Sequence, residues 1–216
     1  MRTLHLLVEG PGDRQAAPLL LRRLLHEQHR RHDWLVEPKH VMEVGGLPKL
    51  RRRLPDFIGH LRGKACDGAL ILLDLDDQPG GQPLLPCQEG PALAAEIAAL
   101  QPLPFPVVVV FAYREYEAWL LASLASITGR SPHFPRPLAY PGNPEGKRDA
   151  KGELDKRMPP LLKYKEVLHQ AEFTRLLDVE QARQAPSFRR LERALSELLA
   201  AVDTGTGHGL VSPPCR

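Results

Sequence analysis

The feature that most constrains this chain is a set of short, unbroken apolar runs. Each is closed abruptly by acidic, Gly or Pro residues and then followed by a helix-length stretch. Leu4 to Val8 ends in Glu9-Gly10-Pro11-Gly12-Asp13, Ala69 to Leu73 ends in Asp74-Leu75-Asp76-Asp77, and Val107 to Ala112 leads to Glu115. Runs this apolar, without the alternation of a half-exposed strand, read as strands buried on both faces. Lys39 to Val44 reads as a further strand. Helices are expected over Gln15 to Arg30, Leu47 to Leu61, Ala92 to Leu100 and Glu115 to Ile127, with a Pro/Gly loop from Gln78 to Pro91. Strands alternating with helices predict an α/β fold with a mainly parallel, Rossmann-like sheet covered on both sides.

The character changes after Gly129. Ser131 to Gly146 is proline-rich, in a chain whose 22 prolines among 216 residues are about twice the usual share. From Lys151 onward the pattern is helical, over Leu154 to Met158, Leu161 to Leu168, Glu172 to Leu177 and Phe188 to Val202. The expected organisation is an α/β domain over residues 1–129, a proline-rich loop and helical annex packed on it over 130–203, and a flexible tail over 204–216. A hydrophobic share of 43% and a net charge of +3 exclude both wholesale disorder and a histone-like polycation. No apolar stretch approaches the length of a membrane helix, and Met1-Arg2-Thr3 does not open a signal peptide. The expectation is a soluble, cytoplasmic protein.

The acids at the strand ends carry the chemical interest. In an open parallel sheet, ligands bind in the crevice at the carboxyl ends of the strands. Glu9 follows the first strand, and Asp74 and Asp76 follow the third. Gathered there, they would raise one another's pKa, and a divalent, oxygen-preferring cation would relieve that repulsion. The competing reading is a set of solvated loop acids. Asp13 is either a further carboxylate of the same site or the cap of the first helix, and both can hold. Glu115 and Glu117 open the helix after the fourth strand, where negative charge is favourable in itself. Glu115 stands closer to the crevice, and Ala118 to Leu121 read as core.

Two segments are basic: Leu47 to Lys64, with Lys49, Arg51, Arg52 and Arg53, and Lys147 to Lys165, with Lys163 and Lys165. They form either a surface that tracks phosphates around an acidic centre or ordinary solvated helix faces. Gly10-Pro11-Gly12 fits neither a phosphate-binding P-loop nor a dinucleotide fingerprint. No nucleophile elbow occurs. The nine histidines show no metal-ligand spacing, and the three cysteines form no CxxC pair.

Taken in order, Val8-Glu9-Gly10 with Asp13, Leu73-Asp74-Leu75-Asp76-Asp77, Glu115-Tyr116-Glu117-Ala118-Trp119-Leu120-Leu121, Lys147, Lys151 and Leu162-Lys163-Tyr164-Lys165 resemble a Toprim-like bacterial family. That family is related to the Toprim nucleases of the overcoming-lysogenization-defect (OLD) group. The resemblance implies a Toprim fold in which Glu9 acts as metal ligand or general acid/base and Asp74 and Asp76 form the DxD. Asp13 stands where relatives often carry Glu. Lys147 or Lys151 matches a lysine that stabilises transition-state charge. The implied activity is Mg²⁺- or Mn²⁺-dependent cleavage of nucleic acid, DNA or RNA, with Glu9, Asp13, Asp74, Asp76 and Glu115 around the metal. Relatives often act in phage defence beside an ATPase partner protein. The alternatives are a catalytically silent interaction subunit of an ATPase-containing complex and, last, a phosphatase with an Asp nucleophile.

Overall fold

The computed structural model describes residues 1–76, 82–100, 103–146, 148–205 and 210–211, the last pair through its backbone. The elements run β1 (Arg2–Val8), α1 (Pro11–Arg23), β2 (Trp34–Leu35), β3 (Val41–Glu43), α2 (Leu47–Arg52), α3 (Leu54–Arg62), β4 (Gly68–Leu75), α4 (Pro86–Ala98) and β5 (Val107–Tyr113). They continue through α5 (Glu117–Ala122), α6 (Leu124–Arg130), α7 (Ala150–Asp155), α8 (Ala171–Leu176), α9 (Val179–Ala182), α10 (Pro186–Thr204) and β6 (Leu210–Val211).

Every strand pairing is parallel, in the order β2-β1-β4-β5-β6, with β3 also pairing β1. The α/β expectation therefore holds. Side chains alternate strictly across the sheet. Leu4, Leu6, Val8, Leu70, Leu72, Val108 and Val110 face α1, α5, α6 and the annex. Leu7, Ala69, Ile71, Leu73, Val107, Val109 and Phe111 face α2, α3 and α4. The annex residues Leu154, Phe173, Phe188, Leu191 and Leu195 belong to the same core as β1, so the annex completes one side of the sheet. Trp119 Nε1 donates to Ser187 Oγ at 2.7 Å, and the Ser187 N–H donates to Glu145 Oε1 at 2.7 Å. The first bond pins α10 to α5 and the second pins it to the turn Pro144–Gly146.

Element boundaries depart from the sequence pattern at identifiable residues. The first helix starts at Pro11 rather than Gln15, because a proline at the first helical position gives up an N–H that would have no partner anyway. It closes in a π-helical turn over Leu24–Gln28. The long basic helix is broken at Arg53 (φ −118°, ψ 24°) ahead of Pro55, which lacks a donor. The helix after β5 is likewise two, split at Ser123. The helix expected over Leu161 to Leu168 does not form. It follows Pro159-Pro160, Leu161 takes a positive φ of 72°, and the next regular element is the π-helical turn Glu166–Gln170. Within the segment expected to be a loose tail, β6 adds a strand beside β5. No helix of the described residues is long and apolar enough to cross a membrane.

Candidate functional site

Parallel pairing of β1 with β4 sets Val8 opposite Leu72, so Glu9 and Asp74 leave adjacent strands at the same end of the sheet. Asp74 keeps the parity of Leu70 and Leu72, which directs it to the annex side. Its Oδ1 accepts the Tyr116 N–H at 2.8 Å. Glu9 rests instead against the turn before α2: a Cβ built on Gly46 would lie 3.4 Å from Glu9 Oε1. Gly46 also has φ +87°, so a side chain there would be strained although it has room.

Asp13 occupies the first turn of α1 and is bound on both oxygens. Oδ2 accepts the Gly10 N–H at 3.1 Å, and Oδ1 accepts Gln170 Nε2 at 2.8 Å. Asp13 is thus not the N-cap itself, which is Gly10, but serves the helix end from its third position while also tying α1 to the annex. Gln170 comes from the annex and lies so close over Gly12 that a Cβ there would collide with Gln170 Oε1.

Glu117 is the most enclosed acid of the group, only 1% exposed. Its Oε1 accepts the Tyr164 hydroxyl at 3.0 Å. Glu115 lies just before α5 rather than in it, and its Oε2 accepts the Lys151 N–H at 2.7 Å. The Lys151 ammonium is ion-paired with Glu166. Asp76 is exposed at the mouth. Lys147 and Asp77 lie outside the described residues.

Proton affinities follow from this crowding. Burial, then the neighbouring Asp13, Glu117 and Glu9 charges, push the Asp74 carboxyl well above the usual range against the Tyr116 N–H. Burial, Asp13 and Asp76 raise Glu9, opposed by the Asp74 N–H and Lys151. Burial raises Asp13 despite its two hydrogen bonds, and burial raises Glu115 despite Lys151. Burial lifts Glu117 to about 7, with Lys151 and Tyr164 restraining the rise. Burial disfavours the Lys151 ammonium, but Glu166, Glu117 and Glu115 outweigh it and raise its pKa.

The donor set is chemically suited to a hard divalent cation: carboxylate oxygens that repel one another and are only partly neutralised by one lysine. Its geometry is more open than the sequence suggests. Among the described residues, no three His, Cys, Asp or Glu side chains come close enough together to hold an ion. The reason lies in strand parity and prior engagement. Glu9 is drawn to the Gly46 turn, Asp13 to Gln170 and Glu115 to the Lys151 backbone.

Across nearly its whole length, residues 8–196, the chain matches a family described as Domain of unknown function (DUF4276). The chain belongs to this family. No curated protein and no solved structure matches it. The segment shared with DUF4276 runs from the end of β1 into α10, so it contains the acids at the strand ends together with Lys151, Tyr164 and Gln170.

The basic candidates of this DUF4276 chain divide by environment. Lys163 and Lys165 are exposed on either side of the buried Tyr164, an in-out alternation along an irregular segment. Arg52 is exposed, and Lys49 folds back over Gly45. Arg51 is held by Glu89 and Glu96 of α4, and Arg53 by Asp56. Sequence reasoning passed over Gln170 and Glu166, gave no role to the inward-facing Tyr164, and favoured Glu115 over Glu117. A signal for Glu117 was present: it stands inside Tyr116-Glu117-Ala118-Trp119-Leu120, where all its neighbours are core.

Proposed function

We propose that this DUF4276 chain is a Toprim-like, metal-dependent hydrolase of nucleic-acid phosphodiesters. The observation that carries this reading is Asp74. It sits at the C-terminal end of the central strand β4, among Asp13, Glu117 and Glu9, with its proton affinity raised by all three. Asp74, Glu9 and Asp13 stand too far apart in this arrangement to share an ion. For them to hold Mg²⁺ or Mn²⁺, Glu9 would have to leave the Gly46 turn and Asp13 its Gln170 bond, with Asp76 and Glu115 at the margin. Such an ion, when bound, supplies Lewis-acid polarisation of a phosphate and a more acidic water. Lys151 holds positive charge at the centre of the acids and is the cation placed to offset charge developing on a phosphate. Tyr164 and Gln170 position Glu117 and Asp13 by direct hydrogen bonds. Lys163 and Lys165 supply exposed charge for the nucleic-acid backbone. An ATPase partner and a role in phage defence belong to the same reading.

A second reading, the silent interaction subunit, is favoured by a different observation. Leu161, Leu162, Val167 and Leu168 are all exposed within one short stretch of the annex, and exposed apolar clusters mark protein contacts. Asp74→Asn separates the two. Under the nuclease reading, cleavage with Mg²⁺ or Mn²⁺ falls by orders of magnitude. The melting temperature without metal is unchanged or raised, because a crowded charge is gone, and the metal-induced rise in melting temperature disappears. A wild-type chain that neither cleaves DNA or RNA nor gains stability from either metal, with its partner present, overturns the nuclease reading.

A further inference from the structure

The outer edge of the sheet carries a second constellation, independent of the acidic end. The edge strand beside β1 is interrupted: β2 pairs with Arg2 and Thr3, β3 pairs with Leu6 to Val8, and nothing pairs on that side at Leu4 and His5 among the described residues. The gap opens a bay of about 560 Å³, within the range of small-ligand sites. Its polar lining is almost entirely basic: His5 from β1, Lys39 and His40 from the turn before β3, His60 from α3, Lys64 just after it, and Arg14 from α1.

Two of these cations are already answered. Arg14 pairs with Glu43 at 3.4 Å, and Lys39 pairs with Glu37 at 2.7 Å. No carboxylate other than Glu43 lines the bay. That leaves three imidazoles and the Lys64 ammonium facing one another. The His5 and His40 rings stand 5.0 Å apart, and His40 Nδ1 is buried with no hydrogen-bond partner. Burial, then the charges of His40, Lys64 and His60, lower the His5 pKa, as expected where positive groups converge. Glu37, which interacts with His40, and Glu43 are the nearby acids, paired with Lys39 and Arg14. The three histidines do not form a group that could hold a metal ion. The cations outnumber the acids at the bay.

We propose that this bay binds a small phosphate monoester of about mononucleotide size. His5, His40, His60 and Lys64 hold its dianionic phosphate, and Met42, Leu61 and Ala65 line the space for the ester group. Lysine and protonated imidazoles are strong donors to phosphate oxygens. A phosphate monoester presents two charges and three terminal oxygens, which matches a ring of four donors better than the single charge of a diester. The bay is distinct from the acidic end, since His5 precedes Glu9 by four residues of extended chain, roughly 13 Å.

The test uses the full chain and follows the histidine ring protons by NMR during titration with adenosine 5′-monophosphate, adenosine, and a dinucleoside monophosphate that carries only a diester. The proposal expects saturable shifts of the His5, His40 and His60 signals with the monophosphate alone. Equal binding of adenosine, equal binding of the diester, or no saturable shift with any of the three would overturn it. Sulfate, whose charge is constant over the range, should bind at least about fivefold more tightly at pH 6 than at pH 8 as the imidazoles gain protons. Sulfate binding independent of pH would remove the histidines from the site. His60 and Lys64 are exposed on α3 and just after it, so His60→Ala with Lys64→Ala keeps the core intact. Binding should weaken at least tenfold, whereas Arg175→Ala, at an exposed position on α8, should leave it unchanged. Undiminished binding in the double variant rejects the assignment.

Discussion

The two faces of the sheet are built from different material. The buried side chains of the face under α2, α3 and α4 are Leu, Ile, Val, Ala and Phe, with Met42 and Cys66 packed at its margin. Every buried polar or charged residue among those described falls between Glu117 and Ser187, on the annex face: Glu117, Glu145, Glu153, His169, Gln170 and Thr174 among them. The same strands thus serve a purely cohesive layer on one side and a polar layer on the other. Burying polar groups costs stability unless each finds a partner. The annex supplies those partners, Tyr164 for Glu117, Gln170 for Asp13 and Thr174 for Tyr116. Cohesion dominates one face and, apart from Glu9 against the Gly46 turn, the acids of the candidate site belong to the other.

The comparison can be broken most severely on the cohesive side. Phe111 is fully buried among apolar neighbours, so Phe111→Ala should cost about 3–5 kcal/mol, read by urea unfolding. Because that face holds no buried ionisable group among the described residues, the pH dependence of stability should keep its wild-type shape. A changed pH profile in this variant would mean that the two faces are energetically mixed.

On the annex face the expected effect is smaller and depends on pH. Glu117 binds its proton more tightly in the folded chain, at about 7 against an ordinary 4.5. Between those values the folded state holds more protons than the unfolded state, so stability falls as pH rises. For this one proton the slope is at most about 1.4 kcal/mol for each step of one in pH. The cost is complete above pH 7 and absent below about pH 4. Glu9, Asp13 and Asp74 are raised as well and add the same sign. Glu117→Gln should therefore flatten the decline and be most stabilising, relative to wild type, above pH 7. Unfolding curves from pH 4 to 8 check this, and an unchanged slope would place Glu117 in a more solvated setting than the seal under Tyr164.

The smallest effect on stability is expected at the rim. Lys163→Ala and Lys165→Ala should each change stability by no more than about 0.5 kcal/mol. In the nuclease reading, each should lower the salt dependence of nucleic-acid binding by roughly 0.7–0.9 in log–log slope. A filter-binding series in KCl measures this. An unchanged slope assigns those lysines to a solvated face.

The sheet was legible in the sequence because strand identity is written in consecutive residues. Leu4 to Val8, Ala69 to Leu73 and Val107 to Ala112 are too apolar to face water on either side, and their chain order with intervening helices leaves few topologies. The positions of Glu9, Asp74 and Asp76 at strand ends followed from the same runs. Proline breaks were less legible. Pro55 divides a pattern whose leucines keep helical spacing across it, and the apolar periodicity of Leu161 to Leu168 is overridden by Pro159-Pro160 and the positive φ of Leu161.

The sequence by itself determined the parallel α/β architecture and the placing of Glu9, Asp74 and Asp76 at strand ends, since both depend on local runs and on where they stop. Only the tertiary structure decided which acids are enclosed and what holds them. Glu115 and Glu117 are two residues apart at the start of one helix, yet one binds a backbone N–H of Lys151 and the other is sealed under Tyr164. Those partners arrive from a segment more than thirty residues away along the chain. Burial and charge are properties of what packs over a residue, and the chain meets those neighbours only when the annex closes on the sheet.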